Sequence, residues 1–225
     1  MLNKEMKILV IGGGIGGLTT AVALQQRGFE AHVYEAAPTI QPVGKGIWVP
    51  TNAMQVLDRL SLGDSIAAKG LAIERIELHA VRAGLLQALD LRQVRQQYGR
   101  TTPSILRADL QAGLLSGLRE NTLHLGKRCM TVQHEQDGAT VIFEDETAVF
   151  GNLVIGADGI RSVVREAVSP RVPFRYAGQS CYLGIANYSL PPNLVRTVRE
   201  IWGGRARFGF SGVGEDKVYG FADVR

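Results

Sequence analysis

The residues near the start of the chain that could do chemistry are three glycines and one acid. Gly12, Gly14 and Gly17 form a G-x-G-x-x-G motif, and Glu35 follows Gly12 by 23 positions. In this motif the first glycine permits a tight turn, the second lets a pyrophosphate approach the backbone, and the third allows close packing of helix on strand. An acid at this distance hydrogen-bonds ribose hydroxyls. The spacing therefore predicts a dinucleotide site.

The elements around these residues are the ones that such a site requires. The apolar run at 7–11 predicts a strand, residues 18–27 predict a helix that Gly28 closes, and a second strand leads into Glu35. The start of the helix would present free N–H groups and its positive dipole end to phosphates. The strand, turn, helix and strand follow one another in the order of a dinucleotide-binding βαβ unit.

A second acid lies at the end of another predicted strand. Residues 153–157 are entirely apolar, which is typical of a buried parallel strand, and Asp158-Gly159 follows directly. An acid at the carboxyl end of such a strand faces the crevice where open α/β sheets bind ligands. Taken alone, an Asp-Gly pair is also a common turn signal. Both interpretations therefore remain open from the pattern alone.

The rest of the chain changes from α/β to antiparallel character. Apolar spacing predicts helices in the first half, and short alternating runs predict strands towards the end. The predicted elements are a helix over 51–60 capped by Thr51 or Asn52, strands within 71–91, a helix opening at Arg107, a β-meander over 122–143, and strands at 181–186, 208–210 and 218–222.

Composition excludes several classes of function. The chain has 225 residues, 45% hydrophobic and 20% charged, which is typical of a globular protein. No apolar stretch is long enough for a membrane span and no secretory leader is recognisable, so we expect no stable membrane association. A net charge of +4 without a dense basic run argues against nucleic acid. The cysteine and histidine spacings fit no metal site and favour a reducing cytoplasm.

Taken together, the motifs resemble one family. GGGIGG, the Glu35 strand, PVGKGIWVPTNAMQVLDRL at 42–60, RADLQAGL at 107–114 and GADGIRSVVR at 156–165 occur in the order found in the single-component FAD-dependent aromatic hydroxylases. Within this para-hydroxybenzoate hydroxylase fold, the chain looks most similar to the urate and salicylate hydroxylase branch. The resemblance implies a Rossmann-like FAD-binding domain with an inserted β-meander and an antiparallel substrate-domain sheet. It also implies FAD, NAD(P)H as a transient reductant, O₂ and a small aromatic or heteroaromatic substrate.

The resemblance also implies roles for particular residues. Gly12, Gly14, Gly16 and Gly17 would line the pyrophosphate, Glu35 and the backbone at Ala36 would hold the adenosine ribose, the loop Gly44–Trp48 would run beside the flavin, Arg107 would reach the phosphates and ribityl chain, the backbone at Cys129 would meet the adenine, and Asp158 with Gly159 would form the family's Asp-Gly motif.

Four residues keep two interpretations each. Lys45 is either a solvated loop lysine or a phosphate contact, and Trp48 is either a packing residue or part of the flavin site. Arg207 and Tyr219 lie on adjacent predicted strands, and the resemblance implies that both face the substrate. The planar donor fork of arginine suits a carboxylate or a urate-like oxyanion. The alternative is an exposed arginine and a half-buried tyrosine.

One family motif has no match. The Gly-Asp motif that the family carries late in its chain is absent, so we expect a fragment of a longer enzyme. The predicted domains are an FAD-binding domain over 1–70 and 100–171 and an incomplete substrate domain over 71–99 and 172–225. The expected function is an FAD monooxygenase, with a non-catalytic FAD- or ligand-binding protein as the alternative. The motifs of flavin halogenases, Tyr-x-x-x-Lys dehydrogenases and disulfide reductases are absent from the sequence.

Overall fold

A computed structural model describes residues 6–41, 45–169, 172–214 and 216–225. Its contacts divide the chain into two compact units, and each unit is assembled from two separate segments. The first unit contains Met1–Gln41 and Gln111–Phe174, and the second contains Pro42–Leu110 and Arg175–Arg225. Residues 42–70 and 100–110 thus cluster with the second unit, whereas the sequence assigned them to the FAD-binding domain. That functional division stays a prediction.

The described residues form six helices and sixteen strands. The helices are α1 (Ile15–Gln26), α2 (Thr51–Arg59), α3 (Gly63–Ala67), α4 (Leu91–Tyr98), α5 (Arg107–Leu115) and α6 (Val163–Val168). The strands are β1 (Lys7–Ile11), β2 (Glu30–Tyr34), β3 (Gly46–Trp48), β4 (Leu71–Ile73), β5 (Arg75–Ala80), β6 (Gly84–Asp90), β7 (Thr102–Leu106), β8 (Leu123–His124), β9 (Cys129–Glu135), β10 (Gly138–Phe143), β11 (Ala148–Gly151), β12 (Leu153–Gly156), β13 (Ser180–Asn187), β14 (Thr197–Trp202), β15 (Ala206–Gly212) and β16 (Lys217–Val224).

The first unit contains the predicted parallel sheet. Its strand order is β12-β1-β2-β8, and Val10 on β1 stands opposite Ile155 on one side and Val33 on the other. The side-by-side arrangement predicted for these three apolar runs is confirmed. Strand β1 is buried from Ile8 to Ile11, because neighbours on both edges and both faces enclose it.

The β-meander differs from the predicted one in one of its three strands. Strands β11, β10 and β9 form a three-stranded antiparallel sheet, as expected from the Asp137-Gly138 turn. The run at 122–125 does not belong to it. Leu123–His124 instead pairs in parallel with β2, and the Glu35 N–H donates to the His124 carbonyl at 2.8 Å. A strand of two residues is too short to show a pairing preference in the sequence.

Two helix starts differ from the sequence-based expectation. Helix α1 begins at Ile15 with Gly14 as its N-cap, three residues before the predicted start. Helix α2 begins at Thr51, and Pro50 is its N-cap rather than Thr51 or Asn52. Thr51 is the first residue inside the helix, and its hydroxyl donates to the Arg100 carbonyl at 3.3 Å. Of the described helices, none is long and apolar enough to span a membrane.

The second unit contains a six-stranded sheet and a small three-stranded sheet. The larger has the order β13-β16-β15-β14-β5-β6, and the smaller has the order β3-β7-β4. The predicted late strands are confirmed and are longer than expected. Strand β14 runs parallel to β5, with Thr197 opposite Arg75 and Trp202 opposite Ala80. This pairing joins the two separate chain segments of the unit.

Candidate functional site

The turn between β1 and α1 is fixed by two glycines that no larger residue could replace. Gly12 has φ +110°, a backbone conformation that residues with a side chain rarely adopt. A Cβ there would also collide with the Ala157 carbonyl. A Cβ on Gly17 would collide with the carbonyl oxygen of Gly12. The Gly12 N–H donates to the Tyr34 carbonyl at 2.8 Å. These contacts hold the end of β1 against the start of α1.

The other two glycines of the motif face open space. No non-neighbouring heavy atom of the described residues lies within 4 Å of a Cβ built on Gly14 or Gly16. Gly14 caps α1 without a side-chain hydrogen bond, so no capping side chain occupies the helix start. Free N–H groups at a helix start bind phosphate. This open space beside Gly14 and Gly16, which we call the phosphate cradle, fits the pyrophosphate of a dinucleotide. The predicted roles of both glycines stay predictions.

Glu35 connects the glycine turn to the end of β2. Its Oε2 accepts a hydrogen bond from the Gly13 N–H at 2.6 Å, and its Oε1 accepts one from the Ala37 N–H at 2.8 Å. Ala36 lies between these contacts and is half-buried. A carboxylate oxygen has two lone pairs, so each oxygen can still accept a hydrogen bond from a ribose hydroxyl. The predicted ribose contact at Glu35 and Ala36 is compatible with this geometry and stays a prediction.

A residue that the sequence did not single out also contacts the glycine turn. The Gln111 Nε2 donates to the Gly13 carbonyl at 2.9 Å. Gln111 belongs to the RADLQAGL motif, and its position one helical turn after Arg107 was the only signal that could have identified it. Arg107 itself opens α5, is exposed, and donates its N–H to the Lys45 carbonyl at 2.8 Å. Its predicted contact with the cofactor phosphates stays a prediction.

The Asp-Gly motif has a clear structural role. Asp158 Oδ1 accepts a hydrogen bond from the Ser162 hydroxyl at 2.6 Å, and Oδ2 accepts from the Val163 and Val164 N–H groups at 2.7 and 3.2 Å. A carboxylate in this position stabilises the start of α6. Gly159 follows with φ +82° and open space where a side chain would project. Asp158 thus has a structural role at the start of α6, and the cofactor contact of both residues stays a prediction.

Cys129 is a core residue. It packs in one buried cluster with Leu9, Tyr34 and Phe143. Burial raises the pKa of its thiol to about 11, with the nearby Asp158 charge acting in the same direction. The side chain is therefore an inert thiol at neutral pH. The predicted contact with adenine concerns only the backbone at this position and stays a prediction.

In the second unit, Trp48 is held by a chain of buried hydroxyls. Its Nε1 donates to the Ser211 Oγ at 2.9 Å, and the Ser211 and Ser104 hydroxyl oxygens lie 2.9 Å apart. Its ring stands edge-on to Tyr219 at 6.3 Å and to Phe221 at 5.9 Å between ring centroids. We call Trp48, Tyr219 and Phe221 the aromatic cluster. Trp48 is thus a packing residue within it, and its predicted place beside the flavin stays a prediction.

The residues beside Trp48 give less information. Lys45 is half-buried, and its carbonyl accepts the Arg107 N–H described above. Gly44 lies outside the described residues. The predicted contact of this loop with a flavin therefore stays a prediction. Gly46 is required for packing, because a Cβ there would collide with the ring of Tyr219.

Arg207 and Tyr219 lie on one face of the six-stranded sheet. Arg207 stands opposite Asp223, and Tyr219 stands opposite Ser211. Phe221 lies between them on the same face, with the Arg207 guanidinium 5.9 Å from its ring centroid. Sequence reasoning missed this phenylalanine, although the alternation of side chains along the predicted strand at 218–222 places it on the same face as Tyr219. Burial raises the pKa of the Tyr219 phenol, and the charges of Cys181 and Asp223 act in the same direction.

Two carboxylates neutralise Arg207. Its Nε pairs with Asp223, and its Nη1 pairs with Glu200 at 3.1 Å. Arg207 and Asp223 line an open cavity of about 420 Å³ together with Trp202 and Arg205. The sequence predicted that Arg207 faces an anionic ring substrate. Two acids already pair with the guanidinium, and the predicted substrate contact stays a prediction.

Comparisons with known proteins agree with these observations. The sequence profile of a family described as FAD binding domain matches residues 5–202. The chain is 37% identical over 195 residues to 3-amino-4-hydroxybenzoate 2-monooxygenase from Streptomyces cremeus, covering 86% of this chain and 49% of that protein. It is 36% identical over 182 residues to the FAD-dependent urate hydroxylase of Klebsiella pneumoniae, covering 80% and 47%.

A solved structure is similar over nearly the whole chain. Klebsiella pneumoniae HpxO complexed with FAD and uric acid superposes with a TM-score of 0.86 and 31% identity, covering 97% of this chain and 56% of that one. The chain spans about half the length of the curated relatives it matches.

Proposed function

Because the chain belongs to the FAD binding domain family, we propose that its first unit binds FAD and that the protein is an FAD-dependent monooxygenase. The observation that carries this proposal is the contrast among the glycines. At Gly12 and Gly17 protein atoms occupy the position that a Cβ would take. At Gly14 this position is open and lies beside a helix start that no side chain caps. Space that the protein does not use, next to phosphate-binding N–H groups, supports a bound pyrophosphate.

The substrate class follows from the relatives. The names of the similar proteins describe hydroxylation of urate and oxygenation of an aminohydroxybenzoate. We therefore propose a small aromatic or heteroaromatic substrate, with NAD(P)H and O₂ as co-substrates. The flavin, when bound, supplies the electron transfer and the activation of oxygen. The chain's own residues bind and orient the two molecules.

Arg207 and Tyr219 are the proposed substrate contacts. A guanidinium has five N–H donors, so the pairs with Glu200 and Asp223 leave donors for a substrate oxygen. The Tyr219 phenol stays protonated at neutral pH, because its pKa is raised above its ordinary value. It can therefore donate to, or accept from, a ring substituent. Phe221 offers a flat apolar surface between them.

FAD binding can be tested directly on this chain. Titration with FAD should give a bound yellow chromophore and a lower Kd than for NAD. Gly14→Val should raise the Kd for FAD at least tenfold, because the side chain fills the cradle, while the Tm stays within a few degrees because no protein atom is displaced. Tighter binding of NAD than of FAD would overturn the proposal.

The reaction is tested by substrate-stimulated NAD(P)H oxidation, with analysis of the product for one inserted oxygen. Arg207→Ala and Tyr219→Phe should each lower kcat/KM for the best substrate by roughly tenfold or more, which corresponds to about 1.4 kcal/mol. If kcat/KM is unchanged in both variants, these residues do not contact the substrate, even where monooxygenase activity is found.

The alternative is a protein that binds FAD without turnover. Retained FAD with no substrate-stimulated NAD(P)H oxidation over a panel of hydroxybenzoates, aminobenzoates and purines would support this alternative.

A further inference from the structure

We propose that Gln111 is a positioning residue for FAD, which together with Glu35 clamps the Gly13 peptide groups and thereby aims the Gly14 N–H into the phosphate cradle. The inference rests on the FAD binding proposed above. It adds a residue from a different segment of the chain to the glycine motif, and it assigns that residue a role in the direction of a main-chain donor.

Two consecutive peptide groups are held at Gly13. The Gly13 N–H, which belongs to the Gly12–Gly13 peptide, donates to Glu35 Oε2 at 2.6 Å. The Gly13 carbonyl, which belongs to the Gly13–Gly14 peptide, accepts from Gln111 Nε2 at 2.9 Å. Gly13 is buried, so neither group has bulk water as an alternative partner. Each peptide plane is therefore fixed by one side chain.

The orientation of Gly14 follows from peptide geometry. In a trans peptide the C=O and the next N–H lie in one plane and point in opposite directions. Because Gln111 draws the Gly13 carbonyl to its own side, the Gly14 N–H must point to the opposite side. Gly14 has open space around its Cα, and its N–H precedes the uncapped start of α1.

A glycine pair needs such a clamp more than other residues do. Gly13 and Gly14 have no Cβ, so their peptide groups rotate more freely than those of any other pair. A donor that is fixed before the ligand arrives costs less ordering on binding. A glutamine suits the task because its amide donates, whereas a glutamate would set an acceptor against the Gly13 carbonyl and a negative charge near the phosphates.

A second glutamine of the same unit provides a matched control. Gln25 is buried, and its Nε2 donates to the Ala31 carbonyl at 2.7 Å while its Oε1 accepts from the Arg119 N–H at 2.9 Å. It stabilises packing around α1 without contacting the glycine turn. Gln25→Leu therefore reports the loss of a structural amide, and Gln111→Leu reports the loss of the clamp.

The test combines affinities with an amide resonance. Gln111→Leu should raise the Kd for FAD about tenfold and Gln111→Glu should raise it further, whereas the Kd for adenosine, which has no phosphate, stays within twofold. In the ligand-free chain, Gln111→Leu should also move the ¹⁵N–¹H resonance of Gly14. Gln25→Leu should lower the Tm but leave the ratio of the FAD and adenosine affinities unchanged.

Three contrary results would overturn the clamp, and one would overturn the proposed function. Wild-type FAD binding with a Gln111→Leu Kd within twofold would overturn the clamp and leave the proposed function intact. An equal loss for adenosine and FAD would show a merely structural role and would also overturn the clamp. If the wild type bound no FAD, the proposed function would fail, and an unmoved Gly14 resonance in Gln111→Leu would separately overturn the clamp.

Discussion

The candidate sites of the two units differ in the kind of group that the side chains hold in place. In the first unit, side chains hold main-chain groups: Glu35 and Gln111 hold the peptides of Gly13, and Asp158 holds the N–H groups at the start of α6. In the second unit, side chains hold other side chains. Trp48 is held by Ser211, and Arg207 is held by two carboxylates.

This difference decides how each region responds to substitution. Every residue except proline has the same main-chain N–H donor. The first region therefore depends on a few glycines, because a side chain at these positions would displace the backbone. Side-chain contacts change with every substitution, so the second region can be altered one residue at a time. The first region should therefore fail abruptly when Gly12 or Gly17 is replaced, and the second should lose stability or activity in steps.

The largest effect is expected at Gly17. Gly17→Ala should lower the free energy of unfolding by about 3 kcal/mol, because its methyl group overpacks the contact with the Gly12 carbonyl. Gly16→Ala is the matched control in the same helical turn, where the space is open, and it should be neutral or stabilise by up to about 1 kcal/mol. Urea unfolding of both variants measures the difference. Equal values would mean that the turn is not fixed by close packing.

Glu35 should give the next largest effect, on binding. Glu35→Ala should weaken FAD binding by about 1.5–3 kcal/mol, the range for a hydrogen bond to a charged group. Glu30→Ala is the control, since Glu30 lies on the same strand segment but is exposed. Calorimetric titration with FAD gives both values. Similar losses in the two variants would point to a general charge effect and against a specific contact.

Ser211 tests the side-chain network of the second unit. Ser211→Ala removes the acceptor of the Trp48 indole N–H and the partner of the Ser104 hydroxyl, and it should cost about 1–2 kcal/mol of stability. The Trp48 emission should change as well, measured with Trp202 replaced by Phe to leave one fluorophore. Ser116→Ala, which removes only a local bond to the Gly113 carbonyl, should do neither. An unchanged Trp48 spectrum in Ser211→Ala would mean that the ring does not need this bond.

The smallest expected effect is a change in the free energy of unfolding at acidic pH, and it concerns Glu77. Hydrogen bonds from His79, Arg75 and Arg199 lower its pKa from 4.5 to about 2. A carboxyl group with a lowered folded-state pKa stabilises the protein above about pH 4.5, and this contribution is lost as the pH falls towards about 2. Glu77→Gln should therefore reduce the stability that is lost between about pH 4.5 and about pH 2 by about 1 kcal/mol.

Asp145 in the first unit is the comparison for Glu77. Its pKa is also lowered to about 2, mainly by Lys127, but its side chain is 43% exposed, against 12% for Glu77. Asp145→Asn should therefore change the acid dependence less, because solvent screens the pair. The measurement is urea unfolding at several pH values between 2 and 6. A larger effect from Asp145→Asn would reverse this order.

The sequence predicted what depends on local pattern. The parallel sheet followed from apolar runs that end in glycine or an acid, and the glycine turn followed from spacing alone. The pairing of β8 with β2 and of β14 with β5 could not be predicted, because one involves two residues and the other joins distant segments. Gln111 and Ser211 were missed for the same reason. Their contacts lie across space and leave no periodic mark in the sequence.

The division of each unit between two segments has a consequence for synthesis on the ribosome. Strand β1 emerges early, but its neighbour β12 ends only at Gly156, so one edge of β1 stays unpaired while the residues up to β12 are made. Strand β5 emerges after β1, and its neighbour β14 ends only at Trp202. Unpaired edges invite association with other chains. Translation therefore leaves both edges open at the same time, and the later part of the chain closes them one after the other, first β1 and then β5.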